Sequence, residues 1–334
     1  MSTSIKVQVH NGLVPEASTD AKWRDDEQFL TLRDGRTLAY TDAGNPNSST
    51  VFLHFHEAIA IGSIRVLALS PALLARDVHY IAPTLPGWGN TSRPPKSTSF
   101  AACVMSDVAA LLEHLHPDTA SIKLYISGIE YGSLAAQILY CASYAEFPHG
   151  RQVASMLLRN PYSPKQYNSM SRVGPSFFAK TMSSTMLRWI IELLVRYKMR
   201  DRKSLQCFWR EQVFDKLTTA QKESFNRWTT LQGREEEGYI RLWADQAVYS
   251  VSQTWDGFRR MESVLRWSSG TFNPLSLDKE HTAKPILIAS AKGRAMSHFL
   301  VENYPNVRAV YYDSEFEVDM WSLDSIMEEF MGVV

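Results

Sequence analysis

The sequence predicts an α/β fold: a mostly parallel, eight-stranded sheet covered by helices, with a helical insertion after the sixth strand. Three observations carry that prediction. Short apolar runs alternate with amphipathic stretches at both ends of the chain, the pattern of strands joined by helical crossovers. The alternation stops from about Pro161 to Leu275 and resumes at Lys284. Between those parts, Lys123 to Ala136 runs from an apolar segment through a glycine-flanked turn into small and apolar residues at helical spacing: strand, sharp turn, helix.

Taken in order, residues 1–26 are polar and aperiodic and read as an N-terminal arm. Phe29–Arg33, a turn-prone Asp34-Gly35 and Thr37–Tyr40 form a hairpin. Val51–Phe55 and His79–Pro83 are buried strands, with a helix from Gly62 to Leu74 between them. Phe100 to His116 places Val104, Val108, Leu111, Leu112 and Leu115 on one helical face. Val153–Leu158, Lys284–Ser290 and Val307–Tyr312 supply the remaining strands, and Trp321 to Met331 closes as a helix. The core is thus expected at 27–160 and 276–334, with a lid at 161–275 rich in tryptophan and mixed in charge. Within that lid, Met186–Tyr197 is apolar almost all round but too short and too charged to span a bilayer; it reads as a helix packed on both sides, with a membrane-facing or dimerising surface as the alternative.

Bulk composition narrows the partners. Lys+Arg and Asp+Glu each number 35, so net charge is zero and neither nucleic acid nor an anionic membrane is an expected partner. Cys103, Cys141 and Cys207 match no metal spacing and no disulfide framework. Without an apolar run in the first residues, the cytosol is the expected location.

The stretch Gly128-Ile129-Glu130-Tyr131-Gly132 resembles the G-x-S-x-G nucleophile elbow of the α/β-hydrolase superfamily. The loop Ala82-Pro83-Thr84-Leu85-Pro86-Gly87-Trp88-Gly89 is similar to that family's A-P-D-x-P-G-x-G loop, with Thr84 in place of the acid. Gly62–Arg65, Pro86–Gly89 and Phe147–Gln152 look similar to hydrolase-like proteins of filamentous fungi, several of which act in natural-product pathways. The resemblance implies a helical lid after strand six and a pocket at the elbow.

Against that family the catalytic positions depart together. Glu130 stands where the nucleophile belongs. Ser290–Met296 offers no carboxylate in place of the triad acid, and Asp313–Asp319 offers no histidine. An ordinary Ser-His-acid mechanism is therefore excluded. The His-Gly oxyanion loop is replaced by His54-Phe55-His56-Glu57, with bulky Phe55 where a glycine is expected. His54 occupies the resembling family's structural histidine position, which leaves His56 as a candidate acid/base beside Glu57.

Glu130 carries two readings. A carboxyl on the pocket floor has a raised pKa and can exchange a proton near neutrality, or attack as the aspartate does in the similar haloalkane dehalogenases and epoxide hydrolases. The other reading is a silent pocket in which Glu130 pairs with a base such as Arg294. The backbone N–H of Tyr131 takes the family's oxyanion position, while Trp88 and Trp189 are expected to contact substrate. Asp313, Glu315, Glu317 and Asp319 suggest a solvated loop rather than a metal site, with Glu317 a pocket candidate.

The expectation is a cofactor-free enzyme that isomerises, cyclises (pericyclic closure included) or cleaves an apolar natural-product intermediate, with Glu130 and His56 catalytic. The alternatives are a pseudo-hydrolase that binds a ligand, as the similar plant hormone receptors do, or a hydrolase with a carboxylate nucleophile.

Overall fold

The structure, a computed structural model, describes residues 27–63, 70, 73, 75–163, 192–193, 195–197, 199, 201–231, 235–265 and 277–332. The N-terminal arm, most of the helix expected over Gly62–Leu74, and Trp189 lie outside the described residues.

Eight strands form one sheet: β1 (Gln28–Thr31), β2 (Thr37–Gly44), β3 (Thr50–Phe55), β4 (His79–Pro83), β5 (Lys123–Ile129), β6 (Val153–Arg159), β7 (Ile286–Ala291) and β8 (Val307–Tyr312). Their spatial order is β1-β2-β4-β3-β5-β6-β7-β8. The β1–β2 and β2–β4 pairs are antiparallel, and every other pair is parallel. The central strands are buried on both faces, which explains their unbroken apolar runs.

Helices α1 (Phe100–Leu115) and α2 (Gly132–Cys141) cover one face, with Leu111, Leu112, Leu134 and Ile138 in the main core. The C-terminal helix, here Leu323–Gly332, covers the other, packing Ile326, Met327 and Phe330 on Phe52 and Tyr125.

Between β6 and β7 the described residues form α3 (Arg202–Gln212), α4 (Thr219–Leu231), α5 (Glu236–Ser250) and α6 (Asp256–Leu265). Phe214, Phe225, Trp228 and Tyr239 give these helices an aromatic core of their own, which also takes in Met320 near the C-terminus. Of the Met186–Tyr197 stretch only 192–193 and 195–197 are among the described residues, and there the expectation of packing on both sides needs correction. Leu193 and Tyr197 are exposed, Tyr197 by 73%. No helix among the described residues is long and apolar enough to cross a membrane.

After β8 the expected solvated loop is instead a short helix, Glu315–Asp319, capped by the Ser314 hydroxyl accepting from the Glu317 N–H. That difference matters for the site. Period two would place Glu315, Glu317 and Asp319 on one face, whereas helical spacing sets Glu315 and Asp319 together and turns Glu317 away.

Candidate functional site

The carboxyl ends of β3, β5 and β6, together with the helix after β8, enclose a cavity of about 330 Å³. Ligand sites of open α/β sheets form at such strand ends. The elbow provides its floor. Glu130 has a φ of 44°, in the left-handed region that a non-glycine residue occupies at a cost of about 1–3 kcal/mol. Both elbow glycines are obligatory for packing. A Cβ on Gly128 would lie 2.5 Å from the Gly132 carbonyl oxygen, and one on Gly132 would lie 2.3 Å from that of Phe55.

The Glu130 N–H donates to the Arg159 carbonyl at 2.9 Å, so the elbow and the end of β6 are joined through the backbone. Asn160 follows, again left-handed with a φ of 43°. Its side-chain carbonyl accepts from the Ala291 N–H at 3.1 Å, while its amide donates to the Asp319 carboxylate at 3.1 and 3.2 Å. One asparagine thereby ties β6, β7 and the last short helix into a single wall.

Glu57, Glu130, Glu315 and Asp319 all line the cavity. Desolvation lifts Glu130 well above the ordinary carboxyl range. Repulsion from Glu57 and Asp319 adds to the rise, and Arg294 opposes it. Burial likewise raises Asp319 to about 7 against the pull of Arg159, with Glu57 raising it further. Burial also raises Glu57, again opposed by Arg159. Among the described residues Arg294 pairs with Glu315 instead of Glu130.

The histidines lie in the same wall in different circumstances. His54 meets the Ser127 hydroxyl at 3.2 Å, and burial holds its pKa well below the usual value. Both nitrogens of His56 bond to backbone. The Nδ1–H donates to the Glu57 carbonyl at 2.7 Å, and Nε2 accepts from the Leu85 N–H at 2.9 Å. Burial lowers its pKa to about 4. A neutral imidazole held at both ends anchors the loop and has no nitrogen left for a substrate proton.

Four expected contacts lie elsewhere. Phe55 is fully buried in the main core. The Tyr131 side chain is buried too, its ring 6.2 Å from that of Trp88 and 6.0 Å from that of Phe100, a placement that does not bear on the oxyanion role expected of its backbone N–H. Trp88 packs beneath the insertion: a Cβ on Gly257 would come within 2.5 Å of its ring, and the Gly257 N–H donates to the Gly87 carbonyl at 2.8 Å. Glu317 turns back to accept from the Asp313 N–H at 3.0 Å. None of these four is among the cavity's described lining.

Three groups line the cavity that sequence reasoning does not assign to it. Trp209 and Trp243, from α3 and α5, face Phe316 across the cavity's aromatic side, the Trp209 and Trp243 rings 5.4 Å apart. The sequence leaves open whether Glu317 or Asp319 reaches the pocket, and it is Asp319 that lines it. Arg159 went unnoticed altogether, although a charge ending the wholly apolar run Met156–Leu158 is a signal of its own.

This is the α/β-hydrolase fold. A hydrolase from Pseudomonas aeruginosa PA01 resembles the chain at a TM-score of 0.57 and 15% identity, covering 92% of this chain and 98% of that one. An esterase from Exiguobacterium antarcticum does so at 0.55 and 16%, with 92% and 98% covered. The M145A mutant of an epoxide hydrolase from Bacillus megaterium does so at 0.54 and 15%, with 91% and 100% covered. At these identities the likeness is one of fold. No family model matches the chain, and no curated protein does.

Proposed function

We propose that the protein is a cofactor-independent enzyme of proton transfer, isomerising, cyclising or cleaving a small apolar molecule, with Glu130 as the acid. One observation carries this reading. A carboxyl on a strained left-handed turn faces a partly enclosed cavity whose surroundings keep it protonated. A protonated carboxyl donates, and strain at such a position persists where it serves a purpose. Asp319 completes the cycle as the base, because a group near 7 accepts a proton readily at neutral pH. In an isomerisation Glu130 gives a proton to one substrate atom, Asp319 takes one from another, and the two carboxyls then re-equilibrate. The substrate's composition is unchanged. The aromatic side of the cavity suits an apolar body.

Native mass spectrometry with product analysis tests this on wild type and Glu130→Gln, each incubated with a small-molecule extract of the source organism. Both proteins are expected to bind the same compound. Wild type alone converts it, with at least about a 100-fold loss in the variant, and an isomerised product has unchanged mass. A ligand left intact by both proteins defeats the proposal and leaves a binding protein.

A second reading has one observation in its favour. Asp319 gives a carboxylate-nucleophile hydrolase the base that the chain otherwise lacks after β8. Glu130 would then attack carbon with loss of the leaving group, and water deprotonated by Asp319 would cleave the resulting ester. That route leaves oxygen from labelled water in the Glu130 carboxyl. It also requires an ionised Glu130, which the surroundings oppose, so it ranks second.

A further inference from the structure

One group in the cavity wall is used neither by the acid–base reading nor by the fold. Arg159 ends β6 with 1% of its surface exposed and lines the cavity. Its Nε, Nη1 and Nη2 atoms are all buried, and none has a hydrogen-bond acceptor among the described residues. Asp319 lies 4.0 Å from Nη1, beyond hydrogen-bond reach, and its oxygens already accept from Asn160. A guanidinium presents five N–H donors in a fixed plane and cannot shed its charge. Burying those donors without acceptors is costly unless something else supplies an oxygen.

We infer that Arg159 binds a carbonyl oxygen of the substrate, which is therefore a largely apolar molecule carrying a neutral carbonyl group. The inference rests on the reading of this cavity as a substrate site. The choice of a neutral carbonyl over an anion follows from the walls. Glu57, Glu315 and Asp319 share the lining with Arg159 beside the protonated Glu130, so an entering carboxylate would add one more negative charge to that set. A carbonyl oxygen escapes that repulsion and still accepts from the fork. Trp209, Trp243 and Phe316 receive the apolar body. Bound in this way, the carbonyl is polarised where negative charge grows as a proton leaves the neighbouring carbon. Fixed donors aimed at developing charge are among the strongest contributions a site can make.

Three probes of one shape test the inference: 2-acetonaphthone, 2-naphthoate and 2-ethylnaphthalene, which set a ketone, a carboxylate and an ethyl group on the same ring. Calorimetric titration is expected to show the ketone binding at least about tenfold more tightly than either of the others. That advantage disappears in Arg159→Met and survives in part in Arg159→Lys. In ¹H–¹⁵N spectra of wild type, the ketone alone shifts an arginine Nε–H resonance that Arg159→Met lacks. If Arg159→Met does not fold, the wild-type spectra and Arg159→Lys decide. Tighter binding of the carboxylate, equal binding of all three, no binding of the ketone, or an advantage intact in Arg159→Met would each overturn the inference. Glu130→Gln is expected to keep the preference for the ketone. Loss of turnover in that variant therefore reports on the acid–base reading, while loss of ketone selectivity in wild type reports on Arg159.

Discussion

Arg36 and Arg159, both largely withdrawn from solvent, are furnished in opposite ways. Arg36, in the turn between β1 and β2, has its guanidinium filled. It donates to Asp107 at 2.9 and 2.5 Å, to Asp34 at 2.7 Å and to the Cys103 sulfur at 3.1 Å. Those bonds to Asp107 hold Arg36 firmly in its charged form. Arg159, more deeply buried, has one carboxylate at 4.0 Å and no hydrogen bond among the described residues. The fold meets the needs of an arginine that fastens the first hairpin to α1. It leaves the needs of the second unmet, beside three carboxyls whose pKa values are all raised. A charge that holds the structure is paired within it, whereas a charge kept for a ligand is positioned and left with free donors.

The largest test of this contrast is stability. Asp107→Ala removes two charge-assisted bonds from Arg36, which keeps only the exposed Asp34 as a carboxylate partner, and is expected to lower the unfolding free energy by about 1.5–3 kcal/mol. Arg159→Met removes a charge with no hydrogen bonds, and the carboxyls around it can take up protons. Its stability should stay within about 1 kcal/mol of wild type in denaturant titration at pH 6. Equal losses in the two variants would erase the distinction.

The same contrast explains what the sequence disclosed. The strands and helix faces were legible because they are written locally, in the apolar runs of β3 to β7 and in the glycines around Glu130. The elbow also named Glu130, since its position is defined by its neighbours in the chain. His54, His56 and Glu57 were legible as residents of the cavity because they follow directly from β3. The bonds that occupy His56 were not, since one of its partners, the Leu85 N–H, is 29 positions away. Arg159 and Asp319 were hidden for a similar reason. They are brought together by the bond from Asn160 to Asp319, which spans 159 positions of chain, and no local pattern records that meeting. The helix after β8 was not legible either, and without its spacing the sequence does not decide between Glu317 and Asp319.

A second test exploits pH, where the cavity's acids and its histidines pull in opposite directions. Asp319 is raised from 3.8 to about 7, so between those values the folded chain binds more protons than the unfolded one. Its contribution to stability is fully present below 3.8 and is lost as pH rises toward 7. His56 is lowered from 6.5 to about 4, so its contribution is present above 6.5 and is lost as pH falls toward 4. The two slopes offset each other in wild type. Asp319→Asn removes the first and leaves the second, so the variant's stability should climb more steeply than wild type between pH 4 and 6.5. The limit for a single proton is about 1.4 kcal/mol per pH unit. Unfolding curves collected across that range would refute the assignment if the two profiles ran parallel. The filled cluster at Arg36 should add nothing to the difference.

The smallest effect separates two carboxylates only two positions apart. Asp319 faces the cavity and bonds to Asn160, whereas Glu317 serves the start of its own helix by accepting from the Asp313 N–H. An N-terminal contact of this kind is worth about 0.5–1 kcal/mol. Glu317→Ala should lower stability by that amount and leave the ketone preference at Arg159 unchanged. Asp319→Asn should change that preference, because it removes the negative charge nearest the guanidinium and leaves more of its field for the ligand. A Glu317→Ala protein that lost ketone selectivity would place its carboxylate in the cavity after all, and the helical spacing after β8 would no longer divide the two acids by role.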